Sequence, residues 1–241
     1  MLFRSSKILY VWYLTGLHFS INIFIEPRYP HNLHQLATFI HQPSFPLALH
    51  QFLFALNHQD QAPAEHDNLP SFEGEIRVYN STIATFYAPS DLCGAGGLCC
   101  ECICSTPSFH GSEHRNTVFV VLNEDKSGME GMEIGQVLLF FSFHYHQKDY
   151  ACALINQYMH DDEPDHDTGM WSVQLECNQR GQPTVKVIDI DAIAQGAHLL
   201  PIYGSSQVPD NFSHHNALDS FYSFFVNHFI DHHAHEFITM L

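Results

Sequence analysis

The chain has 241 residues, of which 45% are hydrophobic and 13% aromatic, a composition that fits a folded globular protein and excludes a disordered one. Nine basic residues against 26 acidic ones give a formal net charge of −17, which disfavours nonspecific binding to DNA or RNA. The 20 histidines become cations as pH falls toward about 6.5, so we expect a solubility that depends on pH.

Residues 1–29 form an apolar N-terminal segment that imitates a signal sequence, with a basic start followed by the run ILYVWYLTGLHFSINIFI. Polar residues such as His18 and Asn22 interrupt the run, and no small-residue cleavage motif follows it. We therefore predict a buried segment, or a start produced by mispredicted coding sequence, in preference to a signal or a membrane-spanning helix. No membrane contact is expected unless this segment inserts.

Residues 30–58 form a predicted helical segment, because apolar residues recur there at spacings of three and four. Pro43 and Pro46 predict a break between two helices. Residues 59–70 are polar, acidic and proline-containing, which is typical of a linker.

Residues 71–241 form a predicted β-rich domain closed by a C-terminal helix. β-Branched and aromatic runs bounded by turn residues predict strands at 75–80, 82–87, 117–122, 135–144, 150–158, 170–176 and 184–190. The runs VLLFFSFHYH and YACALINQY predict a hairpin with a polar turn at 147–149. A helix is predicted over 216–237, with a core-facing stripe at helical spacing formed by Leu218, Phe221, Phe225, Phe229 and Ile230. The fold class that follows is mainly β with flanking helices (α+β), an antiparallel β-barrel or sandwich.

Five of the seven cysteines lie close together in the sequence, at Cys93, Cys99, Cys100, Cys102 and Cys104. The odd total of seven and the clustering favour reduced thiols over a disulfide framework. Thiolates are ligands for Zn²⁺, but alternate residues of an extended segment point one way without a chelating turn, so chance occurrence is preferred to a zinc site.

Histidines form a second candidate metal cluster near the C-terminus, where His228 and His232 lie one turn apart on the predicted helix. The metalloprotease helix signature does not occur, and a solvated polar face is the preferred interpretation. The sequence also contains no P-loop, no EF-hand loop and no Gly-x-Ser-x-Gly motif. We therefore predict no catalytic residue and no cofactor.

Seven stretches, in order along the chain, resemble the carboxy-terminal region of proteins encoded by Plavaka-type, CACTA-like DNA transposons of mushroom-forming fungi. They are ATFYAPSDLCGAGG (84–97), STPSFHG (105–111), QVLLFFSF (136–143), YACALINQY (150–158), DEPDHDTGMW (162–171), IDIDAIAQGAHLLPIYG (188–204) and LDSFYSFFVNHFIDHHAHE (218–236). The resemblance covers roughly residues 30–237. It implies that DNA cleavage belongs to an upstream RNase H-like core, whose acidic ligands do not occur in this sequence.

The pattern of that family has arginine where this chain has Cys99, Cys100, Cys102, Cys104 and Gln195. Cytosine deamination converts arginine codons that begin with CG into codons for Cys, His or Gln. This process predicts a mutationally decaying copy of the element, scarce in arginine and rich in Cys and His. A nucleotide alignment without a transition bias at those codons would contradict this hypothesis.

The resulting functional prediction is a non-catalytic accessory or interaction domain derived from the C-terminal part of a fungal transposase, or a decayed copy without activity. The alternative is a zinc-binding module that uses the Cys or His clusters. Protein partners and an intracellular location, nuclear or cytoplasmic, are favoured over nucleic acid and secretion.

Overall fold

A computed structural model describes residues 20–21, 26, 28–58, 68–88, 97–109, 112–204 and 216–239. The helices are α1 (Leu33–Phe39), α2 (Phe45–Asn57), α3 (Ala217–Ser220) and α4 (His232–Thr239). The strands are β1 (Ser20–Ile21), β2 (Ile76–Tyr79), β3 (Ser81–Tyr87), β4 (Leu98–Phe109), β5 (Ser112–Arg115), β6 (Thr117–Val121), β7 (Met132–Tyr145), β8 (Lys148–His160), β9 (Ser172–Leu175), β10 (Val185–Asp189), β11 (Ile193–Gly196), β12 (Leu199–Pro201) and β13 (Ser223–Val226). The predicted class, mainly antiparallel β with a few helices, is confirmed.

The central feature is the long hairpin of β7 and β8. The two strands pair from Ile134 opposite Tyr158 to Tyr145 opposite Lys148, which is most of their length and confirms the predicted hairpin. The turn is tighter than expected and consists of His146 and Gln147, both with positive φ (47° and 65°). A two-residue hairpin turn with positive φ at both positions has a twist that matches the right-handed twist of the flanking strands.

A β-bulge changes the direction of the side chains halfway along β7. Val137 lies opposite Ile155 and Leu139 lies opposite Leu154, so Leu138 is an extra residue. Because side chains alternate along a strand, this insertion places Val137 and Phe140 on the same face of the hairpin. The hairpin therefore presents two apolar faces, each covered by other elements.

The larger sheet curls back on itself. Its path runs β11-β6-β7-β8-β9-β13-β12, with β10 on β8 and β2 on β7. The strands at its two ends, β11 and β12, are joined by only Ala197 and His198, so the chain crosses directly from one end of the path to the other. The result is a half-barrel. Helix α4 packs against it, and Phe237 of α4 lies edge-on to Phe119 of β6, with ring centroids 5.4 Å apart.

The two N-terminal helices cover the other end of the same face. The Asn32 side chain accepts hydrogen bonds from the backbone N–H groups of His34 and Gln35, and this cap begins α1. Pro46 lies in the first turn of α2, where its missing N–H costs nothing. Both predicted helices are confirmed, and their buried residues share one core with β2, β7, β8 and β10.

A four-stranded sheet in the order β1-β3-β4-β5 covers the opposite face. Ala84 of β3 and Ile103 of β4 are fully or almost fully buried against the hairpin. Glu101 accepts a hydrogen bond from the backbone N–H of Gly196, 2.8 Å away. A Cβ atom at Gly196 would lie within 3 Å of that carboxylate, so the Glu101 side chain would have to move away and this hydrogen bond would be disturbed.

One buried carboxylate lies within this framework. Glu133 is 4% exposed, and its two oxygens accept hydrogen bonds from Lys186 Nζ at 2.9 Å and Gln157 Nε2 at 2.8 Å. The charge is therefore paired and hydrogen-bonded, as burial requires.

The predicted helix over 216–237 is wrong. The segment forms α3, then β13, then α4, and Phe224 and Val226 alternate with less buried residues as in a strand. Aromatic and β-branched residues favour a strand at this point, and pairing with β9 and β12 satisfies its backbone groups. The closing C-terminal helix exists, but it has only eight residues.

Two predicted segments fall mainly outside the described residues. Of the N-terminal segment 1–29, the structure describes 20–21, 26 and 28–29, and of the linker 59–70 it describes 68–70, which have no regular secondary structure. The division into these segments stays a prediction. Across the described ranges, every helix is too short or too polar to span a bilayer.

Candidate functional site

The candidate cysteines of the sequence lie on β4. Cys100, Cys102 and Cys104 are alternate residues and therefore share one face, as expected from the sequence. Ile103 points into the core, whereas Cys100 and Cys102 are exposed and Cys104 is half-buried. Cys99 lies on the alternate face, and Cys93 lies outside the described residues. None of the six described cysteines forms a disulfide.

Two of these thiols are in contact. The Sγ atoms of Cys102 and Cys104 are 3.8 Å apart. The pKa of the Cys104 thiol is raised to about 11, mainly by partial burial and to a smaller extent by the neighbouring Cys102. Within the described ranges, no three His, Cys, Asp or Glu side chains converge as a metal site would require. The zinc interpretation stays a prediction.

The histidines near the C-terminus are arranged differently from the expectation. His228 precedes α4 and His232 begins it, so the two do not share a helical turn, and the premise of that metal pair is wrong. His228 instead lies against His235, with ring centroids 5.2 Å apart. His228 is 4% exposed, and its Nδ1 atom is buried without a hydrogen-bond partner in the described structure.

The buried His228 is part of a tight turn, residues 227–231, that we call the C-terminal turn. The Asn227 side chain accepts a hydrogen bond from the Phe229 N–H at 3.0 Å. The Asp231 side chain accepts one from the Ala234 N–H at 2.6 Å and so caps α4. Both ends of the turn are therefore fixed by short side-chain to backbone bonds.

The C-terminal turn presents two large apolar side chains to solvent. Phe229 is 63% exposed and Ile230 is 52% exposed. The Phe229 ring lies nearly parallel to that of His235, with centroids 6.0 Å apart. Adjacent exposed apolar residues on a rigid turn are a feature of protein-binding surfaces, where a fixed aromatic residue loses little entropy on binding. We take this turn as the candidate functional site.

Sequence reasoning missed this site because it placed Phe229 and Ile230 on a helix facing the core. The signal that could have found it is Asn-His-Phe-Ile-Asp, residues 227–231. Asn and Asp at its two ends are typical of a turn followed by a helix cap.

Burial of His228 predicts a loss of stability at acid pH. The pKa of His228 is lowered from its ordinary value, mainly by burial and to a smaller extent by the neighbouring His235. The unfolded chain therefore binds this proton more readily than the folded one. The full contribution to stability is present above about pH 6.5 and is lost as pH falls through the lower folded-state pKa.

We expect the urea midpoint to fall between pH 7.5 and pH 5, and to fall less in a His228→Gln variant. His166, whose side chain is fully exposed, provides the control. A His166→Gln variant should keep the pH dependence of the original protein. An equal pH dependence in all three proteins would contradict the assignment to His228.

Comparisons with protein-family models, with curated proteins and with solved structures each gave no match. The geometry of the chain is therefore the basis for its functional interpretation.

Proposed function

We propose that this chain is a non-catalytic interaction domain, derived from the C-terminal part of a Plavaka-type fungal transposase. The observation that carries the role is the exposed pair Phe229 and Ile230 on the fixed C-terminal turn. The resemblance of seven sequence stretches to that family supports the origin.

The chemistry of the partner follows from charge. The chain carries a formal net charge of −17, and Asp231 lies in the C-terminal turn itself. A partner segment that is apolar and flanked by Lys or Arg fits this surface, because opposite charges speed encounter and suppress wrong partners. We propose that the partner is the catalytic protein encoded by the same element.

The binding test is a titration of that catalytic protein with the original chain and with a Phe229→Ser/Ile230→Ser variant. Loss of the two anchoring side chains should weaken binding at least about 30-fold, the equivalent of about 2 kcal/mol. Leu122 is 57% exposed and lies outside the C-terminal turn, so Leu122→Ser is the matched control and should bind normally.

Equal weakening by Leu122→Ser would show a nonspecific apolar effect and contradict the assignment. No binding by any of the three proteins would favour the other form of the hypothesis, a decayed copy without activity. The origin is tested separately by the genomic neighbourhood. An upstream reading frame with an acidic catalytic core supports it, whereas a signal-encoding exon contradicts it.

The zinc-binding module is the second candidate function, in which Cys102 and Cys104 would supply two of the four ligands that a structural zinc site needs. Metal analysis of the purified protein tests it. A tight structural site retains its metal during dialysis, so about one zinc ion per chain after dialysis would support this function. Less than about a tenth of a zinc ion per chain would contradict it.

A further inference from the structure

We propose that Cys102 and Cys104 form a two-thiolate site for Cu(I), a soft ion that accepts low coordination numbers. This site lies on β4 and does not depend on the interaction role proposed for the C-terminal turn, but it uses the same two cysteines as the zinc alternative. The inference rests on the distance between the two sulfurs, on the donors around them and on the rigidity of the strand that carries them.

The two sulfurs are already at a distance that one metal ion can bridge. Their separation is 3.8 Å. Two-coordinate Cu(I) prefers a nearly linear S–Cu–S arrangement, in which bonds of about 2.3 Å, the length of a bond between Zn²⁺ and thiolate, place the sulfurs about 4.6 Å apart. Binding therefore requires rotations of the two side chains that separate the sulfurs by roughly 0.8 Å.

The donor set selects the kind of ion. Thiolates are soft ligands and prefer Cu(I), whereas Ca²⁺ and Mg²⁺ prefer oxygen. A structural zinc site needs four ligands, and the described residues bring together no group of three His, Cys, Asp or Glu. The cross-strand neighbours of the two cysteines on β3 are Ser81 and Ile83, which do not complete such a set. Two sulfurs are sufficient for Cu(I).

The strand holds the two sulfurs in place. Ile103, between the two cysteines, is 1% exposed and anchors β4 in the core. Glu101, on the other side of Cys102, bonds to the backbone of Gly196. A site whose supporting residues are fixed loses less entropy on binding a metal.

The binding step balances without a change of oxidation state. Two S–H bonds break, two Cu–S bonds form, and two protons pass to the buffer, while copper remains Cu(I). Because both thiols must lose a proton, the apparent affinity should fall as pH is lowered. The thiols are accessible to the ion, since Cys102 is exposed and Cys104 is half-buried.

The test is an anaerobic titration of the whole chain with Cu(I) alone as the probe, in competition with a chromogenic Cu(I) chelator. We expect the site to be lost in Cys102→Ser and in Cys104→Ser, with an affinity at least about 100-fold lower in each variant. Cys100→Ser is the matched control, because Cys100 is an exposed thiol on the same face of β4. Cys177→Ser, an exposed thiol away from β4, is the second control.

Retention of affinity in both controls and its loss in both test variants supports the proposal. An equal loss in Cys100→Ser, or unchanged affinity in the Cys102→Ser/Cys104→Ser double variant, overturns it. Circular dichroism spectra that match the original protein show that each variant is folded. Preferential binding of Zn²⁺ over Cu(I) by the original chain would also overturn the proposal and would favour the zinc module instead.

Discussion

Replacing Phe141 with alanine is expected to lower the free energy of unfolding by about 3–5 kcal/mol, the usual cost of removing a buried phenylalanine. Phe141 is completely buried on β7 and meets Phe45 of α2 edge-on, with ring centroids 5.1 Å apart. Its removal leaves a cavity between the central hairpin and the N-terminal helices. Urea unfolding, followed by circular dichroism, measures the loss.

The control for this substitution is Phe229→Ala, because Phe229 is 63% exposed. A surface substitution of this kind should change stability by less than about 0.5 kcal/mol. Similar effects of the two substitutions would contradict the packing of α2 on the hairpin.

Replacing Phe224 with alanine should also cost about 3–5 kcal/mol, whereas the same change at the neighbouring Phe225 should cost about 1 kcal/mol or less. Phe224 is 1% exposed in the core under α4, and Phe225 is only partly buried. Adjacent residues differ in this way on a strand, where side chains alternate between two faces.

The two substitutions also distinguish strand β13 from the helix that the sequence pattern predicted, because Phe225 would face the core in that helix. A larger loss for Phe225→Ala than for Phe224→Ala in urea unfolding would favour the helix and contradict β13. The two substitutions remove the same atoms, so the comparison depends only on their surroundings.

The elements that could be predicted from the sequence are those with a strong local pattern. The runs around Phe140 and Leu154 are long, apolar and rich in aromatic or β-branched residues, so both strands of the hairpin were expected. Pro46 and the helical spacing of leucines predicted the break between α1 and α2.

The elements that were missed depend on contacts between distant parts of the chain. β4 is rich in cysteine and contains Glu101, so its pattern is not that of a typical strand, and pairing with β3 stabilises it. β11 and β12 have four and three residues, too few for a periodic pattern, and they form because β6 and β13 lie beside them.

The candidate site shows the same division. Alternation along an extended segment predicted that Cys102 and Cys104 share a face, and the structure adds the contact between their sulfurs. The spacing of the histidines predicted a pair of His228 with His232, and the turn at 227–231 replaces it with a pair of His228 and His235. The error follows from the helix assignment, since three- and four-residue spacings also occur by chance in a phenylalanine-rich segment.

The most direct test of the interaction role is hydrogen–deuterium exchange of this chain, alone and with the catalytic protein encoded by the same element. We expect slower exchange in peptides that cover residues 227–235 and unchanged exchange around Leu122. Unchanged exchange at 227–235 in a mixture that forms a complex would contradict the assignment of the C-terminal turn as the binding surface.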